Sequence, residues 1–149
     1  MKKLRTVFAA AALLLASSAF ATTGPEKVSP KVKAMFEKNF TQASDVNWEK
    51  KDDFYFASFK LNATEISAAY NENGDLVGIS RIIETAQLPL NITMAISSKY
   101  EGYTVDKTAT EVTYDGQTSY YINVQNDKQI LRLKCNSNGD TVINNKTKK

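Results

Sequence analysis

The chain has 149 residues, 19 Lys plus Arg against 16 Asp plus Glu, one cysteine and no histidine. The missing histidine excludes Ser-His-Asp and Cys-His catalysis and the usual zinc and transition-metal ligand sets. The lone Cys135 excludes an intramolecular disulfide, so the core must hold the fold without one.

The first 21 residues read as an export signal. "MKKLR" is a basic n-region, "TVFAAAALLLA" an apolar stretch and "SSAFA" a small-residue end with Ala19 and Ala21 in the A-x-A positions. The apolar run is too short to cross a bilayer, which needs roughly 20 residues. Cleavage after Ala21 takes Lys2, Lys3 and Arg5 with it, so Lys plus Arg falls from 19 to 16 and balances the 16 acidic residues. A neutral mature chain offers no general field for phosphates, which excludes nucleic acid as an expected partner. The expected location is periplasmic or secreted, with no membrane span after cleavage.

Beyond the signal, "VSPKVKAMFEKNF" places Val28, Val32, Phe36 and Phe40 four apart, one face of a helix over residues 29–40. Ser29 is the expected N-cap and Pro30 the first-turn proline. Period-two patterns then predict strands at 44–51, 53–62, 64–72 and 75–85. In them Tyr55, Ala57 and Phe59 share one face, as do Ile66, Ala68 and Tyr70. Val46 and Trp48 are expected together on the core face. Asp52-Asp53 reads as the polar turn of the first hairpin, because adjacent side chains point apart and make a poor acid/base pair.

The same grammar follows again. "LPLNITMAISSKY" places Leu88, Ile92, Ile96 and Tyr100 where Val28, Val32, Phe36 and Phe40 stood, with Pro89 opening a helix at 89–100. Strands are expected at 103–114, 118–126, 129–136 and 140–146. Tyr120, Ile122 and Val124 share a core face, as do Leu131, Leu133 and Cys135, the last as a buried, inert thiol. "NENGD" (71–75) and "NSNGD" (136–140) each lie between two strand patterns. Their Asn-Gly pairs suit hairpin turns, as does Asp115-Gly116. A calcium loop needs oxygen ligands spread over 12 residues and a terminal bidentate Glu, which neither pentapeptide supplies.

The expected fold is therefore α+β, with two tandem helix-plus-four-stranded antiparallel sheet repeats at 22–87 and 88–149, packed as one domain after the signal at 1–21. Phe54 and Phe56 alternate with the core residues of their strand, and Tyr121 with those of its own. These three are the candidate binding residues, on a sheet face opposite the helices. No catalytic residue, metal ligand or cofactor is expected, and the chain is not expected to be an enzyme.

The segment "SDVNWEKKDDFYFASFKLNATEISAAYNENGDLVGIS", with Val46-x-Trp48, an aromatic strand, Ala69-Tyr70 and an Asn-x-x-Gly turn, resembles the PepSY-like, beta-lactamase-inhibitor-like domain of secreted bacterial proteins. Leu88-Pro89 at the next helix belongs to the same pattern. The second half lacks the tryptophan. The resemblance implies an exported, non-enzymatic protein, with peptidase or lactamase inhibition and calcium regulation suggested by analogy of fold. The expected function is protein binding, inhibitor-like, through the uncovered sheet face. A calcium- or small-ligand-responsive periplasmic protein is the alternative it leaves open. Protein purified from the native envelope should have an intact mass beginning at Thr22; retention of Met1 to Ala21 would refute the export reading.

Overall fold

The computed structural model describes Val28 to Lys149; the export signal expected at residues 1–21 lies outside the described residues. In chain order the elements are α1 (Pro30–Asn39), β1 (Ser44–Lys51), β2 (Phe54–Leu61), β3 (Thr64–Asn71), β4 (Leu76–Glu84), a 3-10 turn (Thr85–Gln87), α2 (Leu90–Lys99), β5 (Thr104–Tyr114), β6 (Gln117–Gln125), β7 (Gln129–Asn136) and β8 (Thr141–Lys148). The strands follow one another in chain order in an eight-stranded sheet. The architecture is α+β with two helices and antiparallel pairing. The chain divides into two compact units. One takes the described residues up to Arg81 with Thr113–Asp115, and the other takes Ile82–Val112 with Gly116–Lys149.

In the first unit α1 starts where the sequence places it. Ser29 is the N-cap, and its hydroxyl accepts the Val32 N–H at 3.2 Å; Pro30 follows in the first turn. Val32 and Phe36 are the buried residues of this helix. They pack on Tyr55, Ala57 and Phe59 of β2 and on Ala68 and Tyr70 of β3. Phe36 is the hub, with Phe59 and Trp48 edge-on at ring-centroid distances of 5.0 and 5.1 Å and Tyr70 at 6.4 Å. The Tyr70 hydroxyl lies under this layer and accepts from Asn39 Nδ2 at 3.1 Å. Burial raises its pKa above the ordinary tyrosine value, and that hydrogen bond opposes the rise.

Val46 departs from expectation. It is 37% exposed, although Trp48 packs against the core as expected. Pairing slips between Ser44 and Asn47, where Asp45 takes a φ of 54°. Val46 lies within that slip, where regular pairing and alternation are interrupted, so the spacing from Trp48 does not carry it into the core. A second slip lies between Ala69 and Tyr70, opposite Val77 on β4, and the Val77 carbonyl accepts the Asp115 N–H at 3.2 Å.

The second unit buries Ile92 and Ile96 of α2 against Tyr120, Ile122 and Val124 of β6 and Leu131, Leu133 and Cys135 of β7. Pro89 caps α2 instead of opening it; its carbonyl accepts the Ile92 and Thr93 N–H groups at 3.0 and 3.2 Å. Cys135 is fully buried, with Thr141 Oγ1 at 3.4 Å, and burial pushes its thiol pKa up. That keeps it protonated and unreactive.

The two pentapeptides form turns of one design. Asn71 N–H donates to the Asp75 carbonyl at 3.1 Å, and Gly74 N–H to the Asn71 carbonyl at 3.0 Å. The matching bonds around Asn136 measure 3.0 and 3.1 Å. Only the glycines adopt positive φ, 81° at Gly74 and 90° at Gly139; Asn73 and Asn138 do not, contrary to the expected role of both residues of each pair. This is the three-residue loop in which one left-handed residue closes the hairpin. Each glycine also touches its helix. A Cβ on Gly139 would meet the Asn91 carbonyl oxygen at 3.2 Å, and one on Gly74 would meet Met35 Cγ at 3.3 Å. At Gly116 (φ 72°) nothing lies within 4 Å of that position.

Gly139→Ala should therefore cost more than Gly116→Ala. Both lose left-handed backbone freedom, worth about 1–2 kcal/mol, but only the first crowds a helix; urea midpoints at unchanged m-value read the difference. Conversely Ala63, at φ 64° beside Asn62 at 49° in the β2–β3 turn, should gain about 0.5–1 kcal/mol on Ala63→Gly.

Candidate binding face

In each unit the helix covers one face of its strands, and the alternate residues face the other way. In the first unit these residues form rows. Glu49, Phe56, Ala69 and Gly78 are successive cross-strand partners, and Asn47, Ser58, Ser67 and Ser80 make the adjacent row. The Ser58 and Ser67 hydroxyls share a hydrogen bond at 3.3 Å. Ser67 and Ser80 are buried, and among the described residues no buried side-chain polar atom lacks a partner. Phe54 lies one row from Phe56, with ring centroids 6.5 Å apart.

Alternation places these rings on the opposite face, either covered or open to a partner, and they are covered. Phe54 is 9% and Phe56 3% exposed, outside the helix-covered core cluster but not open to solvent. Alternation fixed their side of the strand; it carried no information on how far neighbouring side chains rise around them. Here the two rings lie against each other, and Phe56 is flanked across the strands by Glu49 and Ala69.

In the second unit Tyr121, at 7% exposure, is buried for a visible reason. Arg132 and Lys134 of β7 lie over its ring, at 5.8 and 6.0 Å from the centroid. Lys134 is the cross-strand partner of Tyr121, and Arg132 that of Asn123. Asn123 Nδ2 donates to Asp106 Oδ2 and Gln125 Nε2 to Asp106 Oδ1, both at 3.1 Å. On the core side of β7, its opening residue Gln129 donates from Nε2 to the Tyr103 hydroxyl. The face thus offers amides, one bound carboxylate and two cations over a ring. Sequence reasoning missed Arg132 and Lys134. The signal is present in the chain, since "ILRLKC" places them opposite Leu131, Leu133 and Cys135.

The pentapeptide carboxylates are already engaged. Asp75 Oδ2 accepts from Asn71 Nδ2 while Asp75 N–H donates to Asn71 Oδ1, both at 2.9 Å, and Asp140 with Asn136 repeats the clasp at the same distances. Asn138 N–H adds a third bond to Asn136 Oδ1 at 3.0 Å. Among the described residues no three His, Cys, Asp or Glu side chains cluster to hold a metal ion, and no helix is long and apolar enough to cross a membrane.

No protein-family model matches the chain, and no curated relative does. Solved structures do resemble it. A DUF2874 family protein from Bacteroides uniformis aligns at 19% identity and TM-score 0.68, over 81% of this chain and 89% of that one. A BLIP-like protein from Bacteroides fragilis aligns at 19% and 0.67, over 85% and 89%. A candidate periplasmic protein from Bacteroides eggerthii aligns at 16% and 0.70, over 83% and 90%. At these identities the likeness establishes the fold, which is beta-lactamase-inhibitor-like.

Asn136→Ala removes three hydrogen bonds and should cost about 1–2 kcal/mol, at roughly 1 kcal/mol for a typical bond with incomplete additivity. Millimolar calcium over chelator should leave the melting temperature unchanged. A rise abolished by Asp75→Ala with Asp140→Ala would restore a cation role.

Proposed function

We propose that this chain is an exported, non-enzymatic protein-binding module, inhibitor-like in mode, that engages its partner through strand faces turned away from the helices. The observation that carries the reading is β7. Its Leu131, Leu133 and Cys135 are committed to the core, while Arg132 and Lys134 stand on the other side over Tyr121. Cations and amides held on a rigid strand suit recognition, because little side-chain freedom remains to be lost on binding. The similarity to a BLIP-like protein supports the same reading, and the similarity to a candidate periplasmic protein supports an envelope location. Phe54, Phe56 and Tyr121 then act as buried supports for the face in their respective units, with the polar residues around them making contact. The recurrence of one helix followed by four strands, with Tyr70 and Cys135 both fully buried before matching turns, supports a tandem repeat of the PepSY-like kind.

A photo-crosslinking side chain tests this reading in cells. Placed at Asn47 on β1 or Ile130 on β7, it should give discrete adducts, whereas Lys33 on α1 and Ser98 on α2 should give none. Adducts from the helix positions alone would refute the proposal.

A further inference from the structure

We infer that Arg132 and Lys134, held over Tyr121, form a clamp for a carboxylate of an acidic protein segment. This rests on the binding-module reading and names the chemistry of its partner. The two residues are two apart on β7, so their side chains leave one face about 6.6 Å apart. Like charges this close repel each other. Strands ordinarily relieve that with an acidic cross-strand neighbour, but here the neighbours are Asn123 and Tyr121 on β6 and Asn145 and Val142 on β8. Among the described residues neither cation has a carboxylate partner. The carboxylate that this face does hold, on Asp106, has one amide on each oxygen, from Asn123 and Gln125. Tyr121 offsets part of the repulsion through the negative face of its ring, and it also fixes where the two cations sit. Both are partly buried, so solvent screens them less than it screens free surface lysines.

The arrangement suits a single anion placed between a planar guanidinium, which grips two oxygens side by side, and an ammonium acting as a point charge. An Asp or Glu side chain meets that geometry. A nucleic-acid backbone does not, because tracking successive phosphates requires a longer row of cations than one pair.

The test titrates the purified, isotope-labelled protein with capped tetraglutamate and follows amide and Arg132 Nε–H resonances. Saturable shifts are expected at Tyr121, Asn123, Arg132 and Lys134. They should weaken at least fivefold between 50 and 500 mM salt, be absent with capped tetraglutamine, and be lost in Arg132→Gln with Lys134→Gln. Arg132→Lys should retain weakened binding, which separates a lost charge from a lost fold. If the double variant does not fold, the location and salt dependence of the wild-type shifts decide alone. The clamp is overturned by absent or displaced shifts, by equal shifts with tetraglutamine, or by tighter binding of a ten-residue oligothymidylate at the same strand. Crosslinking from Asn47 or Ile130 that persists while tetraglutamate fails would remove the clamp and leave the binding module standing.

Discussion

The packing of a ten-residue helix on the strands of its own unit is the constraint from which the rest follows. Helices of this length are marginal in water, and each of these two buries only two side chains of its own: Val32 and Phe36, or Ile92 and Ile96. Neither would persist without the sheet, and neither sheet segment would have a covered apolar face without its helix. The stability of each unit is therefore concentrated in few contacts, with Phe36 and its ring of Phe59, Trp48 and Tyr70 as the densest.

That economy explains why the turns matter. A short helix needs its position fixed from outside, and in both units the glycine of the pentapeptide comes against it. Gly74 meets Lys31 and Met35; Gly139 meets Asn91, whose side-chain amide also donates to the Ser137 carbonyl at 2.9 Å. One residue type satisfies two demands, a left-handed backbone and the absence of a Cβ at a helix contact. The Asn–Asp clasp holds the loop that carries it. A polar pentapeptide that resembles a cation loop is thus a docking device made of hydrogen bonds.

The same economy frees one side of each strand layer. Because the helix covers one face only, the alternate residues answer to other demands, and the two units meet them differently. The first fills its face with small or hydroxylated residues around two phenylalanines. The second places amides, a bound carboxylate and two cations around one tyrosine. A single fold can carry different surface chemistry on such faces without disturbing its core, since period-two alternation decouples the two sides.

Much of this was legible in the residues. The Val32/Phe36 and Ile92/Ile96 spacing, the Ser29-Pro30 start, the alternation of Tyr55-Ala57-Phe59 and Leu131-Leu133-Cys135, and the Asn-Gly turns are local patterns, and local sterics and burial period enforce them. The sequence by itself therefore determined the elements, their order and the residues facing each helix. Only the tertiary structure decided the bulge that leaves Val46 exposed, the burial of Phe54 and Phe56, and the placement of Arg132 and Lys134 over Tyr121. Each depends on which residue of a neighbouring strand stands opposite, and that register is set by the whole hydrogen-bonded ladder rather than by any one stretch of chain.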